Sequence, residues 1–317
     1  MKYGYSLFCE GFDPRDLVNQ AKLAEQNGFD FIVISDHFHP WLSSQKHAGF
    51  AWSILGAIAQ ATDKIGLATM VTCPIIRYHP AIVAQMAATV GVLSDGRFTL
   101  GLGTGEQLNE HVVGKPWPSI TKRQKMFEEA VVVMRQLWTG EYTNFEGKSF
   151  SVVDAKIFDL PREPIPYFIA AGGTRGAALA ARLGGGLCNT SPDEEVVQSY
   201  LTAGGKDDSL WCQVTLAWSL SESEGLEDMY EQFRFAATGG WKVQAELPNT
   251  VNFDAAASQV KPETFASTTP HGPDPQTYID EIARYKEAGF NHIALMYPGH
   301  DTQGFMKFWK ESVLPKL

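Results

Sequence analysis

Short apolar runs alternate along the chain with segments whose apolar positions repeat at helical period, and that alternation predicts the elements. Residues 3–8 (YGYSLF) read as a strand, followed by a helix over 13–27 with Leu17, Ala21 and Ala24 on one face and Gly28 as its stop. Phe31 to Ile34 form an uninterrupted apolar run, the signature of a strand buried on both faces. A helix is expected over 50–62, a third strand over 64–72 (KIGLATMVT), and a helix over 80–94 with Pro80 in its first turn. The fourth strand is 97–105 (RFTLGLGTG). Thr121 with Gln124 then suggests a capping box for a long helix bearing Phe127, Val131, Met134 and Trp138 on one stripe. Four more strands are predicted at 166–173, 185–191, 210–219 and 291–299.

Eight strands of Ile, Val, Leu and Phe alternating with helices predict an α/β chain closed into a parallel (β/α)8 TIM barrel, one domain over 1–317. The stretch 221–272 is longer than one helix needs and contains a polar, Pro-bearing portion, so it is expected to be a helical and loop insertion between strands seven and eight.

Composition narrows the partners. The 317 residues are 44% hydrophobic and 20% charged, an ordinary globular balance. Net charge is −10 from 26 basic and 36 acidic residues, with no dense Lys/Arg cluster, so neither nucleic acid nor a membrane surface is an expected partner. No signal peptide or bilayer-length apolar run is apparent, which predicts a cytoplasmic protein. Cys9, Cys73, Cys188 and Cys212 are scattered without CxxC pairing and are expected to be small buried apolar residues.

In parallel barrels chemistry sits on the loops at the carboxyl ends of the strands. Here those loops carry Asp36, His37, His39 and Trp41; Thr72, Cys73 and Arg77; Gly103 to Glu106 with Asn109 and Glu110; Gly172 and Gly173; Asn189 to Ser191; and His300 with Asp301. The loops at the other end, ATDK and LSDG, hold ordinary turn residues. His37-x-His39 fits a metal-dependent hydrolase in spacing, but the tips of strands five and six (AAGGT, CNTS) supply no further His, so no metal is expected. The Gly172-Gly173 pair before a helix lets backbone amides approach an anion. Glu106 reads either as a helix-cap carboxylate or as a functional acid, and Trp41 as core or as an apolar wall beside a base.

The segments SDHFHPW (35–41), RYHP (77–80), GLGTGEQLNEH (101–111), MRQLWTGEYTNFEGKSF (134–150), IAAGG (169–173) and MYPGHD (296–301) resemble the luciferase-like monooxygenase superfamily. They are most similar to its branch related to F420-dependent glucose-6-phosphate dehydrogenase, over nearly the whole chain and least over 221–272. The resemblance implies coenzyme F420, a deazaflavin hydride carrier, and a homodimer. It implies that His37 is the base for an alcohol hydroxyl, that Trp41 stabilises the intermediate, and that Glu106 is the acid beside the deazaflavin ring. It places Asp36, Met70, Val71, Glu106, Asn109, Gly172 and Gly173 around the cofactor, with a non-prolyl cis peptide at Met70-Val71. One departure bears on substrate: the cations that clamp a sugar phosphate in that branch have no counterpart in NTSPDEE, FASTTPHGP or GHDTQGF. A neutral alcohol or its ketone is therefore the expected substrate. An FMN-dependent monooxygenase and a non-catalytic flavin or deazaflavin binder are the alternatives.

Overall fold

A computed structural model describes residues 1–317. Its frame is a closed barrel of eight parallel strands. In chain order the strands are β1 (Lys2–Leu7), β2 (Phe31–Ile34), β3 (Gly66–Thr69), β4 (Phe98–Leu102), β7 (Tyr167–Ala170), β8 (Gly186–Asn189), β9 (Leu210–Thr215) and β10 (His292–Met296), and β10 pairs with β1 to close the ring. All eight predicted strands are present, so the TIM barrel expected from the pattern is the fold. The predicted runs overshoot mainly at the carboxyl side: 64–72 forms a strand only over Gly66–Thr69, with an isolated bridge from Thr72 to Leu102, and 166–173 only over Tyr167–Ala170. Apolar character continues past the last ladder residue because those residues turn into the barrel mouth.

Two further strands, β5 (Thr143–Glu146) and β6 (Ser151–Ala155), make an antiparallel hairpin outside the barrel that the pattern did not predict. Only one side chain of β6, Val152, is buried, so the hairpin lacks the continuous apolar run that marks a barrel strand.

The barrel helices start where local chemistry allows. α1 (Pro14–Gln26) is capped by Asp13, whose carboxylate accepts from the amides of Arg15 and Asp16, and ends before Gly28 at φ +83°. α2 (Ala51–Ala61) and α3 (Pro80–Leu93) follow, the latter capped by the ring of His79. α4 is a single turn (Gln107–Glu110), and α5 runs Ile120–Leu137. α5 begins one residue before Thr121, with Ser119 at the cap position and no side-chain cap bond, so the expected Thr121–Gln124 box does not form.

The barrel is filled rather than hollow. Its floor is an aromatic plug: Trp211 stacks on Phe168 (4.5 Å) and on His292 (4.3 Å), with Phe31 edge-on. Burial holds the His292 imidazole down to about pKa 4, so it packs as a neutral ring. The plug requires glycine at two facing positions. A Cβ on Gly4 would lie 2.1 Å from the Phe31 ring, and one on Gly101 1.9 Å from the Thr69 carbonyl oxygen. With the floor closed, the loops at the carboxyl ends of the strands are left as the place for chemistry.

Between β9 and β10 the chain leaves the barrel through α8 (Glu222–Phe233), α9 (Trp241–Gln244) and α10 (Thr250–Ala256) before α11 (Pro275–Glu287) returns it. α8, the 3-10 turn that follows it (Arg234–Ala237) and α10 carry a second apolar cluster, in which Met229, Phe233, Phe235 and Phe253 pack with Phe8, Trp41 and Leu108 from the loops after the strands. All four cysteines are buried and free, as expected.

Candidate active site

The loop after β2 carries Asp36 and His37 to the mouth. Asp36 is almost wholly buried, and its carboxylate accepts from four groups of the chain: Oδ2 from Trp52 Nε1 (3.1 Å) and Thr72 Oγ1 (2.8 Å), Oδ1 from Arg77 Nη2 (3.0 Å) and Tyr78 OH (3.0 Å). Arg77 Nη2 also donates to the Asp36 main-chain oxygen (2.6 Å). Asp36 thus anchors the base of the loop.

His37 lies between two carboxylates. Its Nδ1 is hydrogen-bonded to Glu10 Oε1, and its Nε2 stands 3.4 Å from Glu106 Oε1. Glu10 is fully buried just beyond β1 and takes a second hydrogen bond from Ser35 Oγ (3.1 Å). Burial alone would pull the imidazole pKa down. The negative charge and hydrogen bond of Glu10, with Glu106 behind them, outweigh it and push His37 up to about 9.

Trp41 meets His37 edge-on, ring centres 5.0 Å apart, and is backed by Phe235 stacked at 4.8 Å and Phe253 at 5.1 Å. The expectation left Trp41 as core or wall. It is both, since it meets the imidazole at a right angle and is buried under the insertion, stacked on Phe235. Gln45 ties this arrangement down, accepting from the amides of Trp41 (2.8 Å) and Leu42 (3.0 Å) and donating to the Gln232 carbonyl (2.7 Å).

On the facing wall, β4 runs into Gly103-Thr104-Gly105 and then α4, which presents Glu106, Asn109 and Glu110. Gly105 adopts φ +70° with Cys73 Sγ only 2.6 Å from where a Cβ would stand, so that turn needs glycine. Asn109 Nδ2 donates to Glu106 Oε1 (2.7 Å), and its Oδ1 accepts from the amides of Phe38 (2.7 Å) and His39 (2.8 Å). Glu110 accepts from the Arg77 amide (2.8 Å). Burial pushes its carboxyl up to about 7, against the pull of the Arg77 guanidinium.

Met70-Val71, just past β3, is a cis peptide, as the resemblance implied. Both side chains pack onto the lumen cluster above the plug. Gly103 closes up against Val71, whose Cγ2 lies 2.5 Å from where a Cβ would be.

Across the mouth, Gly172 and Gly173 precede α6 (Thr174–Arg182), with nothing within 4 Å of an added Cβ at either position. Neither amide donates to another backbone or side-chain group of the chain, so both remain free at a helix N-terminus for an anionic group.

The structure therefore gathers Asp36, His37, Trp41, Glu106 and Asn109 into one contiguous network, with Met70-Val71 on the lumen cluster and the glycine pair at the neighbouring β7 tip. His39 turns away, lying against Phe38 and with its pKa lowered by burial and by His111. Sequence reasoning missed Glu10. The signal was present, since CEG follows the first strand as SDH follows the second.

The chain is similar to known proteins along its whole length. It is 33% identical to the F420-dependent glucose-6-phosphate dehydrogenase of Microbacterium testaceum, with 100% of this chain and 97% of the relative aligned. It is 36% identical to the enzyme of that name from Amycolatopsis mediterranei, over 100% and 98%. Among solved structures, an F420-dependent secondary alcohol dehydrogenase in complex with an F420-acetone adduct superposes with a TM-score of 0.90 at 30% identity, covering 99% of this chain and 98% of that one. The coenzyme F420 dependent tetrahydromethanopterin reductase from Methanopyrus kandleri shares the fold, with a TM-score of 0.77 at 21% identity. With the family model described as luciferase-like monooxygenase matching residues 1–292, the chain belongs to that family.

Proposed function

We propose that the chain is an F420-dependent oxidoreductase that moves a hydride between a neutral, non-phosphorylated alcohol or its ketone and coenzyme F420. The observation that carries this reading is the Glu10–His37–Glu106 array at the barrel mouth, where two carboxylates flank one imidazole. A protein that only bound a flat cofactor would have no need to bury that charge.

The residues present fit the cofactor. Met70, Val71 and Gly103 offer a close-packed apolar seat for a planar ring, and the free amides of Gly172 and Gly173 suit an anionic tail. Bound there, a deazaflavin supplies a carbon that accepts or returns a hydride without activating oxygen.

The chain's own groups manage the protons. Because Nδ1 is committed to Glu10, Nε2 is the nitrogen of His37 that exchanges a proton with the substrate oxygen. At neutral pH an imidazole with pKa about 9 holds that proton. It is then ready to deliver it to a ketone oxygen, and it works as a base for an alcohol as pH rises. Glu106 is the acid on the cofactor side. Trp41, wedged by Phe235 and Phe253, keeps water from the imidazole face.

For the substrate, Arg77 is spent on Asp36 and Glu110, and the regions around Pro192 and Gln303-Gly304 hold no cation where a phosphate clamp would stand. A dianion would meet Glu10, Glu106 and a net acidic chain instead. The names of the curated relatives favour a second reading, glucose 6-phosphate, and the two are separated by one experiment. F420 reduction is followed with glucose 6-phosphate beside a panel of secondary alcohols beginning with propan-2-ol. Turnover with alcohols alone supports the first reading. A kcat/KM of about 10⁴ M⁻¹s⁻¹ or more for the phosphate alone replaces it. Titration with FMN beside F420 tests the cofactor, and tighter binding of FMN would favour a monooxygenase. A homodimer in the cytoplasm is part of the same proposal, checked by light scattering and by cell fractionation. No helix is long and apolar enough to cross a membrane.

A further inference from the structure

The insertion between β9 and β10 reaches the turn that carries Glu106, and that contact supports an inference resting on the acid role proposed for this residue. Glu106 stands at the cap position of α4 with extended backbone (φ −129°, ψ 153°), yet its carboxylate makes no cap bond. It accepts instead from Asn109 Nδ2 (2.7 Å) and faces His37 Nε2 (3.4 Å). The first amides of a helix have no partner within it. Here the first of them, that of Gln107, donates to the Ala245 carbonyl oxygen (2.9 Å), just beyond α9, so the turn is held from outside by the insertion.

The residues on either side fasten Ala245 in place. Gln244 is buried, and its terminal nitrogen lies 3.1 Å from two carbonyl oxygens, those of Phe235 and Ala236. Carbonyls only accept, so this atom is the NH2 and has one hydrogen for each. Phe235 is the ring stacked on Trp41. Glu246 accepts at Oε1 from Arg123 Nη2 (3.0 Å) and at Oε2 from Trp117 Nε1 (3.0 Å), while the Arg123 guanidinium lies over the Trp117 ring at 4.0 Å. Arg123 is a buried residue of α5 and Glu246 is its paired carboxylate, so the contact is a fixed point rather than a loose surface pair.

We propose that Gln244-Ala245-Glu246 is a strap that positions the acid, with Glu246 as its anchor. Three consecutive residues of the insertion tie the ring behind Trp41 to the backbone beside Glu106, and both to α5. Glu246 spends its oxygens on Arg123 and Trp117, so its influence on Glu106 passes through the Ala245 carbonyl. It is a positioning residue.

Glu246→Ala releases the anchor. In the cofactor-free protein the Gln107 amide should then exchange with D2O at least about tenfold faster, whereas the Arg77 amide, held by Glu110, keeps its rate. With F420 and propan-2-ol, kcat should fall by roughly 10- to 10²-fold, the scale on which an ångström of misplacement is felt. The charged groups around His37 are Glu10, Glu106 and Arg77, and the strap meets only the turn of Glu106. The rising limb of alcohol oxidation should therefore move toward lower pH, as it should in Glu106→Gln, because less negative charge supports the imidazolium. In a Glu106→Gln background, Glu246→Ala should not move the limb and should lower kcat no more than about twofold further, since both changes act on one group. Glu246→Gln keeps an acceptor oxygen for Arg123 and should recover most of the lost rate. Should Glu246→Ala fail to fold with Arg123 unpaired, Gln107→Pro cuts the same bond. Proline suits the first helical position and the extended backbone of Glu106 before it, but has no amide to donate. It should show the same loss of kcat and the same movement of the limb, while Gln107→Ala, which keeps the amide, stays within about threefold of wild type.

Wild-type kcat and pH limb in the strap variant beside a slow Glu106→Gln enzyme overturn the inference. So does full additivity in the double variant, or an unchanged Gln107 exchange rate in a slow Glu246→Ala enzyme. All three leave the proposed function standing. A Glu106→Gln enzyme with undiminished kcat removes the acid assignment itself and this inference with it.

Discussion

Replacing Glu10 by Gln is the most direct perturbation of the proton machinery, because it removes one charge while leaving a side chain of nearly the same shape beside Ser35 and His37. In the intact site burial lowers the His37 pKa, but Glu10 and Glu106 raise it to about 9. At pH 7 the neutral imidazole is then only about 1% of the population, by the two-unit gap between pH and pKa. Without the Glu10 charge, burial is opposed only by Glu106, and the pKa is expected to fall to roughly the ordinary 6.5 or below. The rising limb of alcohol oxidation against pH should move down by about two units or more, while ketone reduction, which needs the imidazolium, should fade above about pH 6.5 in the variant. Stability follows the same group. A histidine whose folded pKa is raised contributes stability that is fully present below its unfolded value and is lost as pH rises through the folded one. Wild type should thus lose thermal stability between about pH 7 and pH 9.5 through this group, and the Glu10→Gln protein should not. The assay is initial F420 reduction and F420H2 oxidation rates across that range, with melting curves on the same samples. A limb that stays within about 0.3 unit of wild type in the variant would refute the reasoning, since the charge at Nδ1 would then not be what sets the proton affinity of Nε2.

Further outcomes are expected at three places. His37→Ala should leave F420 binding nearly intact while lowering kcat for alcohol oxidation by roughly 10² to 10⁴, with a smaller loss for His39→Ala; an unchanged pH profile in His37→Ala would place the base elsewhere. Gly173→Asp introduces a Cβ with nothing within 4 Å, so the melting temperature should hold, but the added carboxylate faces the cofactor's anionic tail and F420 affinity should drop at least tenfold; unchanged affinity in a fluorescence titration would remove the glycine pair from the cofactor site. Gly101→Ala forces a methyl to 1.9 Å from the Thr69 carbonyl oxygen and 2.7 Å from the Phe168 ring, and chemical denaturation should show a loss of about 3 kcal/mol or more; a loss under about 1 kcal/mol would show that the plug can yield.

The barrel was legible in the sequence because its information is local. Each buried parallel strand, such as Phe31–Ile34, is an apolar run, and each helix start or stop, such as Asp13 or Gly28, is written in one or two residues. The site residues after those strands were legible for the same reason, since the end of a run marks where the mouth begins. The strands' overshoot and the β5–β6 hairpin were not, because ladder ends and exposed pairing depend on partners far along the chain. The tertiary structure decided the electrical character of the site. Glu10 and His37 are 27 residues apart in the chain, and only barrel closure sets the carboxylate against the imidazole so that a group which sequence alone would assign a pKa near 6.5 reaches about 9. Asn109 and Phe38 are 71 residues apart, and only their meeting shows that the amide of Asn109 hydrogen-bonds both Glu106 and the loop that carries His37. Residue type and the end of a strand are properties of the chain. Proton affinity and hydrogen-bond partnership are set by what surrounds a group in space, and that was settled only when the eight strands closed.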